Sequence, residues 1–150
     1  MPVLTRTITT SSPREEVFAY LSDFSNGPEW DPGQAASIAR KPGGPFVGQE
    51  YDVMVLWGSR SLPMVYEVTE LIEDHSITLV GEGSTTRAVD TIDVVDVPDG
   101  GCAVTYRADI RLKGLLRFAE PFLGSKFDQL ADAAEAGISK QLARMATKES

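Results

Sequence analysis

The sequence predicts an α+β domain in which a curved antiparallel sheet of six or seven strands wraps around one long C-terminal helix. Residues 3–10 alternate in polarity and are rich in β-branched side chains, which predicts a first strand. Residues 37–113 continue as alternating segments separated by turns, and after Gly114 the apolar spacing becomes helical. A length of 150 residues and a hydrophobic fraction of 42% suit one domain over residues 1–150.

Two short helices are predicted directly after the first strand. Ser12 can cap a helix, Pro13 suits the first helical position, and Glu15 follows Ser12 by three residues, as in a capping box. A second short helix is expected over residues 23–30, because the turn-forming residues 31–33 would stop it there.

The first hairpin can be paired by matching its apolar positions. Pairing Trp57 with Leu62 across a turn at 58–61 places every apolar residue of both strands on one face, because strand side chains alternate between faces. The residues on this face are Tyr51, Val53, Val55, Trp57, Leu62, Met64, Tyr66 and Val68.

The register of the last hairpin determines on which face of the sheet the Asp90 carboxylate lies. Pairing Val97 with Gly101 sets Asp90 opposite Ala108, on the inward face that Tyr106 shares. A bulge of one residue would instead turn Asp90 outward, and the pattern leaves both arrangements open. An unpaired buried carboxylate costs on the order of several kcal/mol, so an inward Asp90 becomes a candidate ligand contact.

The C-terminal segment predicts a helix that crosses the sheet. Pro121 would break a helix interior, so we place it in the first turn of the main helix, with residues 115–120 as a separate lead-in. A helix of about 25 residues is roughly 38 Å long. The apolar residues that recur at three- and four-residue steps are Leu116, Phe122, Leu123, Phe127, Leu130, Ala134, Ile138, Leu142 and Met145.

One helix cannot fill the concave side of such a sheet, so an apolar pocket of about 300–1,000 Å³ is expected between them. The alternative is that the aromatic side chains fill this space. Trp30 is expected to support the pocket entrance, or else to pack on the end of the sheet. The predicted ligand-binding residues are Trp30, Tyr51, Val53, Val55, Trp57, Met64, Tyr66, Val68, Leu79, Asp90, Ile92, Tyr106, Ala108, Phe122, Phe127 and Leu130.

Composition disfavours several classes of function. A net charge of −8 repels nucleic acid and anionic membrane surfaces, and no apolar run approaches the roughly 20 residues that span a bilayer. The N-terminus shows no signal-peptide pattern, and Cys102 is the only cysteine, so we expect a cytoplasmic protein without disulfides. We expect no stable membrane insertion, and a monomer or weak homodimer.

Neither a metal nor a cofactor is expected. His75 is the only histidine and lies in a predicted polar turn, which disfavours a histidine-based triad or a multi-histidine metal site. Cys102 is more typical of a small packing residue than of a nucleophile. Residues 41–45 lack the spacing of a phosphate-binding loop, and they predict a loop over the pocket mouth.

Three motifs extend over nearly the whole chain: Ser-Pro-Arg-Glu-Glu-Val-Phe-Ala-Tyr-Leu-Ser-Asp-Phe (12–24) with Glu-Trp-Asp-Pro-Gly (29–33); Pro-Met-Val-Tyr-Glu-Val-Thr-Glu (63–70); and Val-Thr-Tyr-Arg-Ala (104–108) with Leu-Lys-Gly-Leu-Leu (112–116) and Glu-Pro (120–121). In them the chain resembles the START-like superfamily, specifically the bacterial polyketide cyclase/dehydrase and lipid-transport group of SRPBCC proteins. The resemblance implies a helix-grip fold around a deep hydrophobic cavity. Members bind lipids, sterols, polyketides or aromatic compounds, and some are cyclases or hydrolases.

Three functions stay open at this point. The first is a binding or carrier protein for an apolar small molecule. The second is a polyketide cyclase or dehydratase in which Asp90 acts with Tyr66 or Tyr106 as acid and base. The third is a protein-interaction module whose pocket is incidental. A shared fold does not decide among them.

Overall fold

Seven strands form one antiparallel sheet in the computed structural model, which describes residues 3–149. The strands are β1 (Val3–Thr10), β2 (Gln34–Ala39), β3 (Glu50–Trp57), β4 (Arg60–Ile72), β5 (Ser76–Gly83), β6 (Thr86–Asp96) and β7 (Cys102–Leu112). The helices are α1 (Arg14–Ser22), α2 (Gly27–Trp30) and α3 (Gly124–Glu149), with 3₁₀ segments at Phe24–Asn26 and Gly114–Phe122.

The strand order is β1-β7-β6-β5-β4-β3-β2, so the first strand lies beside the last. Strands β2 to β7 therefore follow one another as neighbours, and only β1 is placed by a long connection through α1 and α2. The α+β architecture, the short helices after β1 and the long C-terminal helix are confirmed. No helix within residues 3–149 combines the length and apolar character needed to cross a membrane.

Helix α1 begins one residue later than predicted. Pro13 is the N-cap residue, with φ −69° and ψ 149°, and no side chain caps this end of the helix. The prediction that Ser12 caps the helix was therefore wrong. The extended ψ of Pro13 delays the first helical turn, and the buried Ser12 hydroxyl has no hydrogen-bond partner in the described part of the chain.

The first hairpin differs from its predicted register by two residues. Trp57 pairs with Arg60 and Val55 pairs with Leu62 across a two-residue turn at 58–59. Gly58 has a φ of 63°, which glycine adopts without steric cost, and tight two-residue turns match the twist of the strands they join. A shift of two residues leaves every side chain on its predicted face.

The last hairpin has the predicted register. The backbone N–H of Val97 donates to the carbonyl oxygen of Gly101 at 3.1 Å, and Asp90 lies opposite Ala108. The pairing of β6 with β7 contains no register shift, so the alternative of a bulge near Asp90 was wrong. The Asp90 residue is only 4% exposed.

Pro121 lies in the 3₁₀ segment Gly114–Phe122 and not in the first turn of the main helix, which corrects the prediction. Proline has no N–H to continue a helical hydrogen-bond ladder, so the chain ends this segment and starts α3 at Gly124. The N–H of Leu123 donates to the carbonyl of Glu120, which closes the segment.

From Ala134 onward, α3 packs closely against the rest of the core. Ala134, Ile138 and Leu142 are buried with the residues of α1 and α2. At Gly137 the helix comes so near the carbonyl oxygen of Trp30 that a Cβ would overlap it. Glycine is therefore required at this crossing.

We expect Gly137→Ala to lower the free energy of unfolding, although alanine is the better helix former. The gain in helix propensity is about 1 kcal/mol. The added methyl must displace the backbone at Trp30, and overpacking of this kind costs about 1–3 kcal/mol. Chemical denaturation of both proteins would measure the difference.

Gly124→Ala is the matched control, because a Cβ there meets nothing within 4 Å. This variant should be neutral or slightly more stable than the parent. Equal stability of the two alanine variants would contradict the close crossing of α3 and α2.

Candidate functional site

A cavity of about 330 Å³ lies between the sheet and the N-terminal half of α3; we call it the apolar cavity. Its walls come from β3, β4, β6 and β7, from the 3₁₀ segment Gly114–Phe122 and from α3. Among the described residues that line it, Arg60 alone is charged. The volume falls within the usual range for small-molecule sites.

A second cavity of about 90 Å³ adjoins the first and is more polar; we call it the polar cavity. Its polar side chains are those of Asp31, Gln34, Tyr66, Asp90 and Tyr106. The two cavities share the lining residues Val55, Tyr66, Ala88, Ile110 and Leu130.

The structure brings together part of the predicted ligand-binding set. The predicted residues that line one or both cavities are Val55, Trp57, Met64, Tyr66, Asp90, Tyr106, Ala108, Phe127 and Leu130. The predicted residues that are buried in the core without lining a cavity are Trp30, Tyr51, Val53, Val68, Leu79 and Ile92.

Two of the predicted ligand-binding residues, Trp30 and Phe122, do not line either cavity. Trp30 packs edge-on against the rings of Tyr106 and Phe24, inside the part of the core that α1 and α2 cover. Phe122 is 85% exposed and does not lie at either cavity. Leu123, the next residue, lines the apolar cavity in its place.

Sequence reasoning left out several residues that line the cavities. The alternation of β4, β6 and β7 already placed Leu62, Ala88, Ile110 and Leu112 on the inward face, so this signal could have found them. Asp31 and Gln34 come from the segment between α2 and β2, and no periodic pattern predicted their position.

Asp90 is the most strongly perturbed carboxyl group of this site. Burial, together with the nearby Asp31 carboxylate, raises the pKa of Asp90 to about 7. The hydroxyl of Tyr106 donates a long hydrogen bond of 3.4 Å to Asp90 Oδ2, and this bond partly opposes the rise in the pKa of Asp90.

Tyr66 lies against β5 with its hydroxyl near this carboxyl group. A Cβ on Gly81 would lie 2.5 Å from ring carbons of Tyr66, so glycine at this position makes room for the ring. Tyr66 is 7% exposed, and its hydroxyl has no hydrogen-bond partner among residues 3–149. Burial and the charge of Asp90 raise the pKa of Tyr66, so the hydroxyl stays protonated.

Asp31 is held in a turn at the end of α2. Its carboxylate accepts a hydrogen bond of 2.8 Å from the N–H of Gly33 and a weaker one of 3.4 Å from Gln34 Nε2. Burial raises the pKa of Asp31, and both hydrogen bonds oppose that rise. The turn therefore brings a second carboxylate to the polar cavity without a cation beside it.

His75 and Cys102 stay outside the site. His75 is exposed in its turn, and its ring contacts the guanidinium of Arg14 and the carbonyl of Glu73. Cys102 is fully buried in the core. Within the described part of the chain, no group of three or more His, Cys, Asp or Glu residues could hold a metal ion.

We expect Asp90→Asn to stabilise the protein at pH 8 and to leave its stability nearly unchanged at pH 4. Between about pH 4 and 7 the unfolded Asp90 has lost its proton while the folded one keeps it, so stability falls as the pH rises. Each pKa unit corresponds to about 1.4 kcal/mol, so the gain at pH 8 is on the order of 2–4 kcal/mol. Thermal unfolding across this pH range would measure it.

Asp93→Asn is the matched control, because Asp93 lies on the same strand but on the opposite face of the sheet. It should change the pH dependence of stability little. A wild-type profile that superimposes on that of Asp90→Asn would show that Asp90 is not held in an unfavourable environment.

Comparison with known proteins relates this geometry to a family. Three solved structures match over nearly the whole chain: a START superfamily protein from Mycobacterium smegmatis (17% identity, 93% of this chain and 98% of that chain, TM-score 0.69), the ZhuI aromatase/cyclase from a Streptomyces species (12%, 95% and 94%, 0.73) and a protein from Thermus thermophilus (11%, 97% and 99%, 0.79). At these identities the likeness establishes the fold alone. No curated protein matches the chain.

A family model described as polyketide cyclase / dehydrase and lipid transport matches residues 1–148. This match extends over both cavities and every element of the fold. The chain therefore belongs to the polyketide cyclase/dehydrase and lipid-transport family.

Proposed function

We propose that this protein binds or carries an apolar small molecule, such as a lipid, a polyketide or an aromatic compound, in the apolar cavity. The observation that carries the proposal is a space of about 330 Å³ lined mainly by aliphatic and aromatic side chains. Burial of apolar surface contributes roughly 25 cal/mol per Å², so such a lining favours an apolar ligand. The family and the fold support the same ligand class.

The walls of the apolar cavity explain how a ligand could be enclosed. Leu116 and Ala119 of the 3₁₀ segment, with Leu123 directly after it, cover one side, while β4 and β6 form the opposite wall. The third hypothesis, an interaction module with an incidental pocket, would be favoured by a collapsed interior, and the open cavity does not favour it.

A second candidate function is a polyketide cyclase or dehydratase that uses Asp90 with Tyr66 or Tyr106. The specific observation in its favour is a carboxyl group with a pKa of about 7 that accepts a hydrogen bond from Tyr106. Such a group can hold or release a proton near neutral pH, as a general acid or base must.

We expect Ala88→Leu to weaken the binding of an apolar fluorescent probe by at least about tenfold, since the larger side chain would occupy space that the ligand needs. Ala88 is 5% exposed and lines both cavities. Because each buried methylene contributes about 0.8 kcal/mol, filling the space should not lower the melting temperature. Fluorescence titration and thermal unfolding would measure both quantities.

Ala103→Leu makes the same change on the outer face of β7 and should leave probe affinity unchanged. If neither the parent nor this control bound neutral apolar probes at micromolar levels, the proposed function would be wrong. Equal affinity of the Ala88 and Ala103 variants would place the ligand elsewhere.

For the enzymatic alternative, we expect Asp90→Asn to reduce turnover of a poly-β-ketone substrate by about 10²–10⁴-fold while the substrate still binds, because the amide cannot take up or release the proton. Single-turnover kinetics and equilibrium binding on the same samples would separate the two effects. Absence of turnover in the parent protein would leave the carrier role as the proposed function.

A further inference from the structure

The described lining of the polar cavity contains acidic side chains but no basic ones. Asp31 and Asp90 both line it, and no Lys, Arg or His occurs among its described lining residues. Neither carboxylate has an ion-pair partner within residues 3–149. Two carboxylates near each other in a poorly solvated space leave negative charge that a cation could neutralise.

Two further polar side chains of this cavity also lack full hydrogen bonding. The Tyr66 hydroxyl is free of partners in the described chain, although the residue is more than nine-tenths buried. The Oε1 atom of Gln34 also has no partner in the described chain, but it lies against Gly27 and not toward open space. Buried polar groups usually find partners, so the unused hydroxyl of Tyr66, which lines both cavities, indicates room for a polar ligand group.

We propose that the polar cavity binds the protonated amino group of a ligand whose apolar body lies in the adjoining apolar cavity. The inference rests on the proposed function and narrows its ligand class to apolar amines. An ammonium group offers three donors and one positive charge, which suits the carboxylates of Asp31 and Asp90 with the hydroxyl oxygen of Tyr66 nearby.

The other described side chains around the polar cavity carry no charge that would repel an ammonium group. Strand β7 contributes the hydroxyl of Tyr106, which donates to Asp90, while β1 contributes only Leu4. Among the described residues of α3, those that line the polar cavity are the apolar Leu130, Ala131 and Ala134. The groups that titrate around the ammonium are therefore Asp31, Asp90 and the two tyrosines.

Other head groups fit this space less well. A carboxylate would add a third negative charge next to Asp31 and Asp90, and Arg60, the basic residue among the described lining residues, lines the apolar cavity instead. A ligand carbonyl could accept a hydrogen bond from the Tyr66 hydroxyl at any pH in this range, and from Asp90 only while Asp90 is protonated. Affinity for a carbonyl ligand should therefore stay constant or fall as the pH rises, whereas affinity for an amine should rise.

The pH dependence of amine binding follows from the two charges. An alkylammonium group resembles the lysine side chain, with a pKa near 10, so it remains protonated at pH 8. The pKa of Asp90 is about 7, so this group becomes anionic between pH 6 and 8. Affinity for the amine should rise over this interval, whereas affinity for a neutral alcohol of the same length should stay constant.

The experiment uses n-octylamine, 1-octanol and octanoate as probes, titrated calorimetrically into the parent protein and its variants. At pH 8 we expect octylamine to bind at least about tenfold more tightly than octanol, with the preference falling toward pH 6. Asp90→Asn should abolish the preference for octylamine over octanol. Asp93→Asn, which removes a charge from the outer face of the same strand, should retain it.

The outcomes separate this inference from the proposed function. Binding of octanol and octylamine with equal affinity at pH 8, or a preference that survives Asp90→Asn, would overturn the ammonium site and leave the apolar-ligand function standing. Tighter binding of octanoate than of octylamine would also overturn it. If none of the probes bound, both proposals would fail. If a variant folds poorly, the change in the parent protein's preference for octylamine between pH 6 and pH 8 still tests the ammonium site.

Discussion

One long helix, α3, and two short helices, α1 and α2, cover the concave side of a seven-stranded sheet, and they are too small to fill it completely. The C-terminal half of α3 closes the gap, because Gly137 allows the helix to meet the backbone at Trp30. The N-terminal half carries Phe127 and Leu130, and there the apolar cavity remains open. Residue size along one helix thus divides the concave face into a packed half and a hollow half.

The 3₁₀ segment Gly114–Phe122 completes this arrangement on the hollow side. It covers the apolar cavity with Leu116 and Ala119, while Leu115 and Phe122 are each 85% exposed. A short 3₁₀ segment has weaker hydrogen-bond geometry than an α-helix and only a few turns to hold it. The wall that this segment forms is therefore held by weaker backbone hydrogen bonds than the walls formed by the sheet and by α3.

Two buried carboxyl groups, those of Asp31 and Asp90, make part of the hollow half of the concave face acidic. The register of β6 and β7 places Asp90 inside, where burial opposes its ionisation, and the turn at the end of α2 brings Asp31 near it. No basic side chain is found among the described residues that line the polar cavity, so the ionised form of Asp90 is destabilised there. A group that costs stability in the empty protein and lies at a cavity is a reasonable candidate for ligand contact.

Most of the fold could be predicted from the sequence, because the spacing of apolar residues within each segment indicates whether it forms a strand or a helix. Period-two alternation assigned the inward face of the strands correctly, and it did so even where the turn at Gly58 shifted the first hairpin by two residues. The residues at which the helices begin and end were predicted less accurately. Ser12 has the residue type and spacing of a cap, but the extended ψ of Pro13 delays the helix and leaves the serine hydroxyl unused.

The sequence by itself determined which side chains point inward, including Asp90, since the faces of a strand follow from its register. Only the tertiary structure decided which inward residues meet packed neighbours and which meet a cavity. Tyr51 and Met64 share one face of the first hairpin, yet the former lies in the core and the latter lines the apolar cavity. That difference depends on where α1, α2 and α3 cover the sheet. Asp31 and Asp90 likewise line one cavity although they come from distant segments, and no local period encodes such a placement.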